Sequence, residues 1–337
     1  MGMIFGLDIG YSNVKLTFGE SEGRPETVVF PIGAAPLKTF NDAVQGVEGG
    51  HLDITKVDVD GETYAVGYEP GKIANAPRYI SENYTKTKEY KALFYAALLY
   101  AETNHIDLLV TGLPVSHYKD EALRKELQEM MQGEHKVGAR RTICVDKVSV
   151  IPQPGGGFIN ALNEAIESGD EKKANIMQHG SCLVIDPGYF SNDFVVFEEG
   201  SLVQDASNSS LQATSKIFEL AAKRIGDSIP HRPGKDLKPH NLEKAIRNGT
   251  KVIYFQGQEV NVAEELKGPS KEIGKLALSE VLNNLREHSP DIIVLVGGGA
   301  DFFEESVKET FSGLEVIKSP DSVAAVSKGY WMWGVSK

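Results

Sequence analysis

The sequence predicts an α/β protein of two domains. Three observations carry that expectation: a length of 337 residues, a strand meander that opens the chain and returns in its second half, and a continuous apolar strand late in each half. One compact module rarely grows to this length, and uninterrupted apolar strands belong to sheets covered on both faces.

The first meander runs through Met3–Leu7, a turn at Asp8–Ser12, a strand over Val14–Phe18, a loop at Gly19–Pro25 and a strand near Thr27–Phe30. A hairpin follows, with Leu52, Ile54, Val57 and Val59 alternating, Asp60-Gly61 turning and Tyr64–Gly67 returning. Lys86–Asn104 reads as a helix with Leu93, Ala96, Ala97 and Tyr100 on one face, and Ile106–Leu113 as the buried strand closed by Pro114. A polar helix over about His117–Met131 leads to strands Arg141–Val145 and Lys147–Ile151. A glycine-rich loop, Pro152–Gly157, then opens the helix Phe158–Glu167. The polar stretch Ser168–Gly180 is the expected domain boundary.

The opening pattern then repeats: strand Ser181–Ile185, turn Asp186–Gly188, strand Asp193–Glu198, and a turn at Glu199-Gly200 into Ser201–Val203. Helices are expected at about Ser210–Ile225 and Asn241–Asn248, a hairpin over Lys251–Val262, and a helix near Ala263–Glu287. The second apolar strand, Asp291–Val296, runs into Gly297-Gly298-Gly299 and a helix from about Asp301. A short strand, Glu315–Ile317, and a helix, Asp321–Trp333, close the chain.

Composition narrows the class. Hydrophobic residues at 41% and charged residues at 24% match globular proteins that fold throughout. No apolar run approaches the roughly 20 residues that span a bilayer, and MGMIFGLDIG lacks the basic segment and long apolar core of a signal peptide, so no membrane association and a cytoplasmic location are expected. The formal charge of −12 argues against direct binding of nucleic acid; any DNA would be held by a partner. Cys144 and Cys182 lie in unrelated contexts and are expected as buried small hydrophobes. The eight histidines show no ligand spacing along the chain, so no transition-metal site is expected.

The chemistry gathers at the turns. In FGLDIGYSNVKL a strand delivers Asp8 to a tight turn whose amides and Ser12 hydroxyl can face phosphate oxygens, with Lys15 on the outgoing strand to add charge. Asp8 would repel a phosphate without a cation between them, which predicts Mg²⁺. A plain hairpin whose Asp stabilises the turn accounts for this segment alone equally well. The second copy, CLVIDPGYFSNDFVVF, again presents an acid, Asp186, to a turn with Gly188, then Ser191 and Asp193. Two such hairpins, each leading one half of the chain, fit two domains closing on a triphosphate. The triplet Gly297-Gly298-Gly299 lets backbone lie against a ligand at a helix N-terminus, although alone it is as well explained by a bare turn; the dinucleotide fingerprint is absent.

Together FGLDIGYSNVKL, VIPQPGGG, LVIDPGYFSND, IIVLVGGGADFF and AAVSKGYW resemble the five motifs of the actin-like ATPase superfamily in their order. The whole chain is most similar to the ParM/StbA plasmid-segregation actins and their archaeal actin-like relatives; IDLLVTGLPVSHY adds a strand and Leu-Pro turn like that branch's. The resemblance implies a two-domain actin-like (ribonuclease H-like) fold with a nucleotide cleft between the domains. Domain I would be residues 1–173, with the closing helix 318–337 packed back on it, and domain II residues 174–317.

The resemblance also implies roles. Asp8 and Asp186 would hold Mg²⁺ through water, and Gly10, Tyr11, Ser12, Asn13, Lys15, Gly188, Tyr189 and Ser191 would surround the phosphates of ATP (or GTP). Gly297, Gly298 and Gly299 would lie along the nucleoside, and Lys216 and Glu219 would reach the ribose or base, although charges at this spacing more often form a solvated helix face. Gln153 falls at the position that orients the attacking water; a neutral amide orients without accepting a proton, which implies slow hydrolysis. Gln153 as a cap or packing residue of its loop is the alternative. Pro187, Tyr189 and Phe190 depart from the small or aliphatic residues usual in the second loop.

The implied function is a slow ATP hydrolase coupled to self-association into filaments, serving plasmid DNA segregation through a DNA-binding adaptor protein. A small-molecule kinase on the same scaffold, with Asp193 as the acceptor-activating acid, is the alternative. A chaperone-like clamp ranks last, because no peptide-binding domain is appended.

Overall fold

The computed structural model describes residues 2–39, 54–69, 83–229 and 236–337, and the chain divides into two compact units, Met1–Glu164 with Val323–Lys337, and Ala165–Ser322. Leu52 of the expected second hairpin lies outside the described residues.

The first unit begins with the meander β1 (Met3–Ile9), β2 (Asn13–Glu20) and β3 (Glu26–Pro31). A small sheet of β4 (Gly33–Pro36), β5 (Thr55–Val59) and β6 (Glu62–Tyr68) follows, β5 and β6 joined at Asp60-Gly61. Next come β7 (His105–Leu113), β8 (Gly133–Gly138) and β9 (Arg141–Pro152). The main sheet has the order β3-β2-β1-β7-β9-β8: β1 pairs antiparallel with β2 and parallel with β7, and β7 pairs parallel with β9. Alternation sends Phe5, Leu7, Leu16 and Leu109 into one core with Leu93 and Phe94 of the helix Lys88–Leu98. That helix stops short of the predicted Asn104; Thr87 caps its start by accepting from the Tyr90 N–H.

Other elements differ from expectation for local reasons. The segment His117–Met131 divides into Val115–Tyr118 and Glu121–Met131, because the Asp120 side chain caps the second helix through the Ala122 and Leu123 N–H groups. The two strands expected after it are one, β9, paired on its outer side with β8, which the polar run Glu134–Lys136 conceals. The expected glycine loop is helical: the helix runs Gln153–Glu167, with Pro154 in the first turn, where a missing N–H costs nothing. Its glycines admit backbone. A Cβ on Gly329, in the C-terminal helix Ala325–Val335, would lie 1.8 Å from the Gly156 carbonyl oxygen, and this helix also packs across β1, β2 and β7.

The second unit repeats the plan. β10 (Ser181–Pro187), β11 (Asn192–Glu198) and β12 (Ser201–Ser210) form its meander. After a separate hairpin of β13 (Val252–Phe255) and β14 (Gln258–Asn261) come β15 (Ile292–Leu295) and β16 (Glu315–Lys318). Its sheet order is β12-β11-β10-β15-β16, antiparallel within the meander and parallel from β10 through β16. This is the order of β3-β2-β1-β7-β9, so the repeat glimpsed in the sequence is one of topology. Leu183, Ile185, Phe194, Ile293 and Leu295 pack with Ile217 and Phe218 of the helix Thr214–Ser228 and with Leu278 of the helix Val262–Leu285. The segment expected as a boundary carries the helix Glu171–His179, capped by Asp170, and the division between units falls ahead of it.

Candidate functional site

In the first unit, Asp8 lies within β1 rather than in the turn, directly opposite Lys15 on β2. Side chains opposite one another on paired strands share a face, so the register itself creates an ion pair: Lys15 Nζ is 2.8 Å from Asp8 Oδ2, with both groups largely buried. The other oxygen, Asp8 Oδ1, accepts from Gln153 Nε2 at 3.2 Å. Gln153 begins its helix, so the partial positive charge of a helix N-terminus lies beside a buried carboxylate. The turn itself is Gly10–Ser12, closed by the Gly10 N–H donating to the Asn13 carbonyl. Tyr11 stacks on Tyr84 at 4.8 Å between ring centres, and the Tyr84 hydroxyl points to the Gly10 carbonyl, so aromatic packing fixes the loop from one side.

In the second unit, Asp186 is likewise a strand residue, paired with Asp193, and the turn is Gly188–Ser191, closed by the Gly188 N–H donating to the Ser191 carbonyl. Three segments meet there. Gly297 adopts a φ of +85°, in the left-handed region open to glycine, and a Cβ at that position would lie 2.0 Å from Asp186 Oδ1. The Gly299 N–H donates to the Pro187 carbonyl at 2.8 Å, and a Cβ there would meet Thr214 Oγ1 at 2.3 Å. The N–H groups of Thr214 and Ser215, opening the next helix, donate to the carbonyls of Gly188 and Tyr189. The acid, Gly297, Gly299 and a helix start are therefore pinned together by backbone hydrogen bonds that occupy these amides, so they form the frame of the turn and leave its other amides to meet a ligand.

Other expected contacts take a different form. The Ser191 hydroxyl donates to Asp193 Oδ2 at 2.6 Å, and Ser209 holds the other oxygen, which ties up the acid that a kinase would need. Tyr189 packs edge-on to Phe190 and against Phe218, so the aromatics that depart from the family pattern brace the loop on the helix below. Lys216 and Glu219 pair with each other at 2.7 Å, each about half exposed. Gly298 is exposed with open space around it.

Two polar residues of this region carry no sequence motif. Asn192 is fully buried, and neither its amide nitrogen nor its oxygen has a hydrogen-bond partner within the protein; Thr214 Oγ1 shares that condition. Buried polar atoms ordinarily find a partner. The signal available in the sequence is an Asn on the apolar face shared by Phe194 and Val196.

Residues 6–156 match the family model for the N-terminal domain of actin-like proteins, and residues 184–309 that for the C-terminal domain of the archaeal actin homologue MreB-like. The chain belongs to the actin-like proteins. A search of curated sequences finds no significant match. Among solved structures, the archaeal actin homolog Ta0583 aligns over 100% of both chains at 19% identity with a TM-score of 0.77, and its complex with ADP aligns over 100% of both at 18% and 0.72. A subunit of a 15-stranded ParM filament from Clostridium botulinum aligns over 100% of this chain and 99% of that one, at 20% identity and 0.72. At such identities the likeness is one of fold, and it covers the two-unit actin-like architecture from end to end. Among the described residues, no helix is long and apolar enough to cross a membrane.

Proposed function

We propose that this actin-like protein binds Mg-ATP, hydrolyses it slowly and assembles into nucleotide-dependent filaments that segregate plasmid DNA through a DNA-bound adaptor. The observation that carries the proposal is the convergence of Asp186, Gly297, Gly299 and the Thr214 helix start into one backbone-bonded cradle, built on the same strand topology that presents Asp8. Adenine nucleotide is favoured because a structural relative was solved with ADP, and self-assembly because another was solved as a filament.

In this reading the amides inside the two turns, other than those of Gly10 and Gly188 that close them, donate to phosphate oxygens, and Lys15 adds charge from β2. Asp8 and Asp186 each carry hard carboxylate oxygens of the kind Mg²⁺ takes, and such an ion would offset phosphate charge. Asp8, whose two oxygens are held by Lys15 and Gln153, would reach such an ion through water, and only glycine at 297 leaves room for the Asp186 carboxylate. Gln153, its amide nitrogen engaged by Asp8, orients a water through its remaining hydrogen-bonding capacity and accepts no proton, which makes hydrolysis slow.

Isothermal titration of Mg-ATP into the wild-type chain and into Asp186→Ala tests the site. Binding by wild type with a loss of about tenfold or more in the variant supports it; equal affinity and equal phosphate release in the two would overturn it.

A further inference from the structure

Away from the nucleotide cradle, the first unit brings together three side chains of the kinds that bind borderline transition metals. β7 and β9 run parallel with His105 directly beside Cys144. The flanking pairs Ile106–Val145 and Leu108–Lys147 set Asp107 beside Asp146. Residues two apart on a strand share a face, so His105, Asp107, Cys144 and Asp146 form a square on one side of the sheet. On the far strand β8, Glu134 pairs with Cys144 and adds a further carboxylate.

The distances match a metal's needs. His105 Nε2 lies 3.1 Å from Asp146 Oδ2, and Cys144 Sγ lies 3.5 Å from Asp146 Oδ1. All three ligand atoms fall within 4.8 Å of one another. Tetrahedral Zn²⁺, with bonds of about 2.0 Å to nitrogen or oxygen and about 2.3 Å to sulfur, sets ligands about 3.3 Å apart for an N–O pair and about 3.5 Å for an S–O pair. The His105–Asp146 and Cys144–Asp146 separations are near those values, each to a different oxygen of Asp146, and a small side-chain adjustment brings one oxygen to both. Asp107 Oδ1 approaches His105 Nε2 at 3.7 Å, while Asp107 Oδ2 is held by the Met3 N–H at 2.6 Å. The His105 backbone is fixed in turn by Thr103, whose hydroxyl accepts from the His105 N–H and donates to its carbonyl. His105 and Asp146 are exposed and Cys144 is half-buried, so the group is open to an incoming ion.

We propose that His105, Cys144 and Asp146 form a Zn²⁺ site, with water in the fourth position and Asp107 as a nearby second carboxylate. The ligand set favours this ion class: imidazole and thiolate select Zn²⁺ over Mg²⁺ and Ca²⁺, and the thiolate and carboxylate together balance the dication. On binding, the Cys144 thiol releases its proton to solvent and the imidazole binds as its neutral form. The bound ion ties β7 to β9 on the sheet face, independently of nucleotide.

The full chain, reduced, treated with chelator and free of nucleotide, is titrated with Co²⁺ and then with Zn²⁺. One Co²⁺ per chain with a thiolate-to-metal charge-transfer band, bleached by one equivalent of Zn²⁺, is the expected result. Cys144→Ser removes the band, His105→Ala weakens Zn²⁺ binding by about tenfold or more, and Cys182→Ser leaves the band intact. Absence of the band in the wild-type chain, or its survival in a Cys144→Ser protein of native circular dichroism, overturns the proposal.

Discussion

Substituting Gly297 by alanine sets two costs against each other that a second glycine separates. Gly61, in the β5–β6 turn, has a φ of +84° and no neighbour within 4 Å of a would-be Cβ, whereas Gly297 has nearly the same φ, +85°, with Asp186 Oδ1 2.0 Å from its would-be Cβ. Both alanine variants incur the left-handed backbone penalty, about 1–2 kcal/mol of stability. Only Gly297→Ala displaces the acid: ordinary contact begins near 3.4 Å, so the carboxylate oxygen must retreat by about 1.4 Å. A hydrogen bond involving a charged group contributes about 1.5–3 kcal/mol, so loss of Asp186 from its position lowers Mg-ATP affinity by about ten- to a hundredfold. Thermal unfolding together with nucleotide titration separates the two effects. The reasoning is refuted if Gly297→Ala binds Mg-ATP as wild type does, or if Gly61→Ala loses as much affinity.

Three further outcomes follow from the first unit. Lys15→Met strips a buried carboxylate of its cation and lowers unfolding free energy by about 3 kcal/mol in denaturant titrations, and adding Asp8→Asn recovers part of that loss; a double variant no better than the single contradicts the pairing. Gln153→Ala lowers single-turnover phosphate release by about a hundredfold while nucleotide affinity stays within about twofold, because an orienting group acts on the reaction more than on binding. His135 is buried against Phe94 and Tyr95, and burial lowers its pKa below the ordinary 6.5, opposed by its hydrogen bond to the Met131 carbonyl. The unfolded chain therefore takes up a proton first as pH falls. The stability involved is present above pH 6.5 and is lost as pH drops through the lower folded value; His135→Gln shows a flatter pH–stability profile below 6.5, and identical profiles rule the assignment out.

Much of the architecture was legible because its signals are local. Apolar stretches flanking turns marked β1 and β2, alternation and an Asp-Gly turn marked β5 and β6, and uninterrupted apolar runs marked β7 and β15. What failed was punctuation that depends on tertiary contact. The glycines after Pro152 read as a loop, yet they are helical, and position 156 is glycine because a Cβ there would lie 2.5 Å from the Val326 carbonyl oxygen; nothing near Pro152 records that neighbour. At the candidate site, the acids and glycines stand out in the sequence as turn motifs, whereas Lys15's pairing with Asp8 depends on strand register and Asn192's burial on the tertiary fold. Cys144 was expected to be buried and is half-exposed, since its strand alternates between core and surface at Ile143, Cys144 and Val145. The absence of a linear histidine motif likewise said nothing of His105, whose candidate partners lie 39 and 41 positions away and become neighbours only through parallel pairing.

The central claim, that nucleotide drives assembly of this actin-like protein, is tested most directly by sedimentation of the purified chain with Mg-ATP, with Mg-ADP and without nucleotide, each pellet viewed by electron microscopy. Filaments that form with Mg-ATP, shrink as phosphate is released and fail to form with Gly297→Ala are the predicted result. A chain that binds and turns over ATP yet stays in the supernatant at every concentration, or that pellets equally without nucleotide, would contradict it.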